Sequence, residues 1–339
     1  MGATVRAARQ LIAETVPAAL PGLPFAEEVM RSVNSAVGFD GYYLFAVDPI
    51  TQLRCAMYAE NGLQVATRRL ILNETVEQDF NRYTELFRRP GHVGVLAFRA
   101  APEPHSPRLH EILRPQGFMS ELRLVLVDGG RYWGALSLFR DERRHPFTDA
   151  DAEVATELAK PLCTAVRRHQ VRRTGGEPVP GAAGIVLVGR DGEFLSVSPE
   201  ARTWLGYLRS DGLNFDDVSR VVHEVAQAAR AGRPSPLCRV RTNDGHWLVI
   251  SGTRSLAGPV EVTVVIQPAS VRQVLPAFAA WSGLSVRESE VLDLVADGLA
   301  AKQIARRLDL SVLTVNDHLR STYRKTGVTG RDQLLALTS

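Results

Sequence analysis

The feature that most constrains the fold is a series of helix starts and stops between Leu284 and Val328, near the end of the 339-residue chain. Ser285 and Glu288 form a capping box, in which a hydroxyl and a carboxylate satisfy free backbone N–H groups at a helix start. Gly298 is placed to end that helix in the left-handed conformation. The apolar stripe between start and stop consists of Val291, Leu292 and Val295. The pattern predicts a short, amphipathic first helix.

Two further short helices are predicted after Gly298, joined by a tight corner at Asp309-Leu310. Ser311 is a natural N-cap for the later helix. The inward positions of the two helices are Ile304 and Leu308, then Val315, Leu319 and Tyr323. The outward positions are Lys302, Arg306 and Arg307, then Asn316, Asp317, Arg320 and Arg324. Two short helices joined by a three- or four-residue turn, the second with a polar outer face, fit the DNA major groove.

The segment resembles the DNA-binding domain of the LuxR family of bacterial transcription regulators. The resemblance is carried by LSVRESEVL, by GLAAKQIARRL, and by LTVNDHLRSTYRKTGV with its Thr-Val-x-x-His core. It implies an all-α, four-helix helix-turn-helix domain over 271–339, with a last helix from Arg331 to Leu337. It also implies sequence-specific binding of double-stranded DNA.

The same resemblance, together with side-chain chemistry, predicts two sets of DNA contacts. Arginine can bind guanine, asparagine can bind adenine, and aspartate can accept from the cytosine amino group. The predicted base-reading residues are Asn316, Asp317, Arg320 and Arg324. The predicted phosphate contacts are Lys302, Ser311, Thr314, His318 and Lys325. For Asp317 two interpretations stay open: it reads a cytosine, or it only positions Arg320 or Arg324.

Composition narrows the class of protein. The net charge of +3 says little about partners. The segment from Lys302 to Lys325, however, has six lysines and arginines but only two aspartates, and nucleic-acid binding requires such a local excess of positive charge. No stretch approaches the eighteen or so apolar residues of a membrane span, and no secretory signal is expected. Three distant cysteines argue against both a disulfide framework and a zinc cluster. We therefore expect a cytoplasmic protein with no membrane contact.

Upstream of the helices, the sequence changes to short strands with turn signals. Asp128-Gly129-Gly130 separates two strand-like runs, and RDERRHPFTDADAEVATELA then leads into a long helix ending near Val171. This order resembles the C-terminal half of a GAF domain. We predict a GAF-like sensor domain over 25–171, preceded by an N-terminal helical segment over 1–24.

A second strand-rich module is predicted after a linker at 172–180, which is rich in Gly, Pro and charge. GIVLVGRDGEFLSVSPEARTWLG resembles the opening of a PAS domain, and short helices and an antiparallel meander follow. We predict a PAS-like sensor domain over 181–270. The fold class is thus multidomain α+β: two antiparallel-sheet sensor domains followed by the all-α helix-turn-helix domain.

The sensor modules carry no catalytic motif, so no catalytic residue is assigned and the chain is not expected to be an enzyme. No metal, haem or flavin signature is present, and the cofactor stays unknown. We predict that a small-molecule effector binds a pocket lined by Tyr43, Phe45, Phe118 and Trp133. A homodimer is expected, with RNA polymerase as a further partner. Two alternatives stay open: sensor domains that only mediate protein contacts, and a signalling enzyme with a helical tail.

Overall fold

The computed structural model describes residues 2–15, 20, 22–60, 67–98, 105–171, 181–208, 219–234, 236–255 and 258–338. The predicted linker at 172–180 lies outside these residues. The chain folds into two five-stranded antiparallel sheets followed by a helical region, as the α+β prediction requires. No helix within the described ranges has the length and apolar character that crossing a membrane would need.

The first sheet has the strand order β2-β1-β5-β4-β3. Its strands are β1 Gly41–Val47, β2 Arg54–Ala59, β3 Val93–Ala97, β4 Phe118–Asp128 and β5 Arg131–Asp141. The β4–β5 hairpin turns at Gly129-Gly130, where both residues have positive φ (58° and 70°). This turn is where the sequence places it.

Helices cover both faces of the first sheet. They are α1 Gly2–Thr15, α2 Gly22–Ala36, α3 Thr67–Thr75, α4 Tyr83–Arg88 and α5 Asp149–Val171. A wide helical turn, Arg108–Leu113, and a 3-10 turn, Arg114–Gln116, complete the domain. One face packs on α1, α2 and α5, while the other packs on α3, α4 and the Arg108–Gln116 segment. The N-terminal helix belongs to this domain, because Val5, Ala8 and Ile12 are buried in its core.

The second sheet repeats the same order, β7-β6-β10-β9-β8. Its strands are β6 Gly184–Gly189, β7 Phe194–Val197, β8 Leu237–Arg241, β9 Trp247–Arg254 and β10 Val260–Pro268. Its helices are α6 Pro199–Tyr207 and α7 Arg220–Arg230. A hairpin, helices and a three-stranded meander follow one another, which is the order on which the PAS-like prediction rests. The resemblance of residues 181–270 to a PAS domain stays a prediction.

The helical region consists of α8 Val271–Trp281, α9 Val286–Ala296, α10 Ala301–Leu308, α11 Val312–Thr326 and α12 Arg331–Ala336. A small core of its own holds α9, α10 and α11 together. This core is formed by Val291, Val295, Ile304, Ala305 and Val315. Leu319 and Tyr323, predicted as inward, are only half-buried, whereas Thr322 and Thr326 on the same helix are buried.

The two sheets meet where edge strand β2 lies beside edge strand β8. Two ion pairs cross this contact, Asp48–Arg239 and Arg54–Glu224, at 2.8 and 2.9 Å. The Cys238 thiol also donates to the Arg54 carbonyl at 3.3 Å. Covering an edge strand in this way protects it from pairing with other chains. We refer to this contact as the seam.

Candidate functional site

Helix α11 is defined at both ends by local sequence. The Ser311 hydroxyl accepts a hydrogen bond from the Thr314 N–H at 3.0 Å, which is the N-cap that the sequence predicts. Gly327, at φ 76°, ends the helix in the left-handed region. The corner before α11 is made by Asp309, also left-handed at φ 54°, with the Leu310 N–H bonded to the Ala305 carbonyl. The recognition helix therefore begins and ends at fixed points.

The predicted base-reading residues lie on the outer side of α11. Asp317 and Arg320 are exposed, and they form an ion pair at 3.2 Å across one helical turn. Arg324 is exposed and donates to the Ser321 hydroxyl at 3.3 Å, whereas Asn316 is half-buried. In the free protein Asp317 thus engages Arg320, as the second interpretation of this acidic residue requires.

Leu313 is a member of this face that the sequence pattern did not single out. It is 67% exposed and lies three, four and seven residues before Asn316, Asp317 and Arg320. That spacing places the four side chains on one side of the helix. The sequence signal was only an apolar residue in the first turn of the helix, and the structure shows that it is exposed. Apolar side chains at this point of a recognition helix can contact the thymine methyl group.

The predicted phosphate residues have different environments. Lys302 is exposed in the first turn of α10. Ser311 and Thr314 hydrogen bond to each other through their hydroxyls at 2.9 Å, so both are already engaged in the cap. His318 is half-buried. Lys302 is therefore the member of the set that is most open to a phosphate.

Lys325 is bonded within the domain. Its ammonium lies 2.5 Å from the carboxylate of Glu288, the acidic residue of the capping box on α9. Burial acts to raise the pKa of Glu288, but hydrogen bonds from Lys325, Ser321 and the Ser285 N–H outweigh it and lower the pKa to about 2. The capping box therefore also fastens α9 to the last turn of α11. This second partner of Glu288 could not be read from the capping pattern.

The helical region is fixed to the second sheet by Trp247. Its indole N–H donates to the Leu337 carbonyl, just after α12, at 2.9 Å in a buried position. The Trp247 ring also stacks on Trp281 of α8, with centroids 5.5 Å apart. Leu334 and Leu337 are buried in the same core. The outer face of α11 stays exposed in this docked arrangement.

The four residues predicted to line an effector pocket do not come together. Tyr43, Phe45 and Phe118 lie on the face of the first sheet that packs on α3 and α4. Trp133 lies on the opposite face, under the Arg167 guanidinium of α5 at 4.2 Å. The prediction failed for Trp133 because neighbouring strand residues point to opposite faces. Its neighbour Tyr132 is the one that packs with Tyr43, Phe45 and Phe118.

The face of the first sheet that packs on α3 and α4 is filled by charged side chains as well as by aromatic rings. Arg108 and Arg123 share the buried carboxylate of Glu121, each at 2.8 Å, and Arg123 also pairs with Glu74. Burial acts to raise the pKa of Glu121, but the two guanidinium groups outweigh it and lower the pKa. An interior space beside this network, lined in part by Tyr43, is about 10 Å³. This network was missed because its members are far apart in the sequence.

A larger space lies outside this network, between the first domain and α7. It is a cleft of about 670 Å³, with Arg54, Tyr83 and Tyr132 on one side and Glu224 and Arg230 on the other. Among the described residues no three His, Cys, Asp or Glu side chains come together as metal ligands would.

A capped scaffold helix, a left-handed corner and a capped second helix with an exposed polar face together define a helix-turn-helix domain. Residues 282–338 match the luxR family of bacterial regulatory proteins, and residues 24–166 match the GAF domain. The chain thus carries a LuxR-family helix-turn-helix domain behind a GAF domain, as both resemblances predict.

Curated relatives match a segment of 55 residues of this chain. The monoamine regulon transcriptional regulator of Klebsiella aerogenes is 42% identical over 55 residues, 16% of this chain and 24% of that protein. An HTH-type transcriptional regulator of Mycobacterium tuberculosis is 44% identical over 55 residues, 16% of this chain and 6% of that protein. The chain thus spans a quarter or less of the length of these relatives.

Solved structures align over longer stretches at low similarity. SdiA from Escherichia coli aligns over 92% of this chain and 89% of its own, with 15% identity and a TM-score of 0.33. A VqmA–ligand–DNA complex from Vibrio cholerae aligns over 48% of this chain and 82% of its own, with 22% identity and a TM-score of 0.21.

Proposed function

We propose that the chain is a bacterial, sequence-specific DNA-binding regulator of transcription whose sensor domains respond to a small-molecule effector. The observation that carries the proposal is the outer face of α11, which stays exposed while the rest of its domain is docked on Trp247. The LuxR-family match over 282–338 supports the same conclusion. A regulator of this kind acts in the cytoplasm, with RNA polymerase as a partner, and needs no catalytic site.

In the proposed complex, α11 lies in the major groove. Asn316, Arg320 and Arg324 contact base edges, and Leu313 contacts a thymine methyl group. Asp317 holds Arg320 in place or accepts from a cytosine amino group. Lys302 and the N-terminal amides of α11 contact phosphates, with Ser311, Thr314 and His318 alongside.

The proposed functional unit is a homodimer. One short recognition helix makes few base contacts, whereas two heads on half-sites about one helical turn apart multiply them. The matched parts of the chain, a GAF domain and a helix-turn-helix domain, then correspond to input and output.

The proposal is tested by selecting bound sequences from a random DNA pool with the full chain and with an Arg320→Ala variant. We expect the wild type to enrich a palindromic site. The variant should bind it about 1–3 kcal/mol more weakly and tolerate more bases at one position of each half-site. An Arg287→Ala variant is the matched control, since Arg287 is an exposed arginine of α9 that pairs with Glu290. Unchanged selection by the Arg320 variant would contradict the assignment.

A further inference from the structure

The cleft beside the seam has the size and lining of a small-molecule site. Its volume of about 670 Å³ lies within the roughly 300–1,000 Å³ of ligand pockets. Its walls come from the β1–β2 hairpin, the end of α3, the start of α4 and α7. Both sensor domains therefore contribute to it, and neither would form the site alone.

Arg54 lies at the floor of this cleft and already holds a carboxylate. Its guanidinium lies 4.9 Å from the centre of the Phe45 ring and 2.9 Å from the Glu224 carboxylate of α7. Both charged side chains are about nine-tenths buried. Burial acts to lower the pKa of Arg54, but Glu224 outweighs it, so the pKa is raised and the guanidinium stays charged. The Arg54–Glu224 contact is one charge-assisted hydrogen bond, and such bonds are roughly twice as strong as those between neutral groups.

The rest of the lining favours an acid with a flat, apolar body. Tyr83 and Tyr132 supply aromatic surface, and Leu53, Val47 and Ala228 supply apolar surface. Four arginines line the cleft, and three of them pair with carboxylates: Arg54 with Glu224, Arg82 with Glu85 and Arg230 with Glu261. Arg233 donates to the Thr51 carbonyl at 3.0 Å and has no carboxylate partner among the described residues. An added anion would therefore meet the Arg233 guanidinium as well as Arg54.

A ligand in the cleft is kept out of the core of the GAF domain. Arg54, Glu74 and Tyr83 line both the cleft and the nearly filled interior space of about 10 Å³, so these three side chains form the partition between them. A molecule larger than water therefore has to stay on the outer side of Arg54. There the group it meets first is the Arg54–Glu224 ion pair.

We propose that this cleft binds a small aromatic carboxylic acid, whose carboxylate replaces Glu224 on the Arg54 guanidinium. Glu224 occupies the position that the ligand carboxylate takes. Because Arg54–Glu224 is an ion pair across the seam, binding of the acid weakens the contact between the sensor domains. This inference rests on the proposed effector sensing and names the site, the chemistry and the signal.

The test is calorimetric titration of the full chain, without DNA, with benzoate and phenylacetate, and with their neutral amides as matched probes. We expect the acids to bind and the amides not to bind. Glu224→Gln should tighten binding of the acids about tenfold, since the internal competitor is lost. Arg54→Gln should weaken it about 10–100-fold, because a charge-assisted pair is lost.

Asp48→Asn is the control, because it removes the other ion pair across the seam without touching Arg54. Equal tightening by Asp48→Asn and Glu224→Gln would overturn the proposed competition. Binding of acids and amides alike, or of neither, would overturn the proposed site. DNA selection by the full chain is measured independently, so failure of the cleft and failure of DNA binding give separate results.

Discussion

Leu313 is the residue whose role on the recognition helix can be isolated most cleanly. Replacing thymine by deoxyuridine removes one methyl group from the DNA and leaves every hydrogen-bonding group in place. We expect wild-type binding to weaken by about 0.8 kcal/mol at one position of each half-site, the free energy of one buried methylene-sized group. The Leu313→Ala variant should bind thymine and deoxyuridine sites equally. Competition binding on singly substituted sites measures both values.

Val286 provides the matched control for Leu313. It is also an exposed apolar residue of the same domain, 76% accessible, but it lies at the start of α9 and not on α11. Val286→Ala should keep the full sensitivity to deoxyuridine. If Leu313→Ala keeps it as well, Leu313 does not contact a thymine methyl group.

Lys302 and Lys325 carry the same charge but differ in their partners, which separates phosphate binding from stability. Lys302 is exposed, so Lys302→Ala should weaken binding to specific and to random DNA alike. It should also reduce the slope of log affinity against log salt by about the amount expected for one phosphate contact. Lys325→Ala should leave that slope nearly unchanged. It should instead cost about 1–2 kcal/mol of domain stability, since the buried Glu288 carboxylate loses its partner.

Salt titrations of DNA binding and urea unfolding distinguish these two outcomes. A loss of slope in Lys325→Ala equal to that in Lys302→Ala would mean that Lys325 leaves Glu288 to bind phosphate in the complex. The resemblance to the family assigns both lysines to phosphate, and only the structure gives Lys325 its other partner.

At the scale of the element, the start of α9 makes the stability of the helix-turn-helix domain depend on pH. The pKa of Glu288 is lowered from about 4.5 to about 2 in the folded chain. A group whose pKa is lower in the folded state stabilises the fold above its unfolded pKa, and this contribution is lost as pH falls toward the folded value. The wild type should thus lose this stabilisation between about pH 4.5 and pH 2.

A Glu288→Gln variant keeps the shape of the capping box but has no charge to titrate. We expect it to be less stable than the wild type at neutral pH, and the difference in the free energy of unfolding should shrink below pH 4.5. Urea unfolding followed by tryptophan fluorescence measures this difference, because Trp247 and Trp281 lie where the helical region docks. A difference that stays constant down to pH 2 would contradict the proposed ion pair.

Elements whose ends are set by capping or turn residues could be predicted from the sequence. Ser285 and Glu288, Gly298, Ser311 and the Gly129-Gly130 turn each specify a start, a stop or a reversal through their own backbone chemistry. The observed capping hydrogen bonds confirm the helix starts at Ser285 and Ser311. For the same reason the helix-turn-helix domain is the part whose fold could be anticipated furthest, and its DNA contacts stay predictions.

Elements that depend on distant partners could not be predicted in the same way. The pairs Arg108–Glu121 and Arg54–Glu224 join residues whose closeness is set by the fold alone, so no spacing in the sequence reveals them. Trp133 was assigned to the wrong face of the first sheet, because two adjacent aromatic residues give no sign of which face each one points to. Leu313 was singled out by its exposure, which is a property of the folded domain.

At the scale of the whole molecule, Trp247 determines how firmly the DNA-binding head is held. Trp247→Phe keeps an aromatic ring for Trp281 but removes the donor to the Leu337 carbonyl, which should cost about 1–3 kcal/mol of docking. In the proposed dimer the two heads then lose their fixed spacing. Affinity for a palindromic site should fall by up to about tenfold, whereas affinity for a single half-site should not change.

Binding to half-site and palindromic DNA, measured side by side, checks this expectation. Equal losses on both DNAs would mean that Trp247 affects the reading face itself and not the placement of the head. Unchanged binding to both would mean that docking on the second sheet does not set the spacing.

The two buried cysteines at the seam, Cys55 and Cys238, allow its opening to be followed by chemical labelling. Cys55 and Cys238 are buried on β2 and β8, and burial raises the pKa of both thiols well above the usual range. Such thiols react with an alkylating reagent only while the structure is open. The rate at which they are labelled therefore measures how often the two domains separate. Labelling of Cys163, which is fully buried in α5, reports separately on the unfolding of the first domain. An effector that loosens the seam would speed the first two thiols and leave the third unchanged.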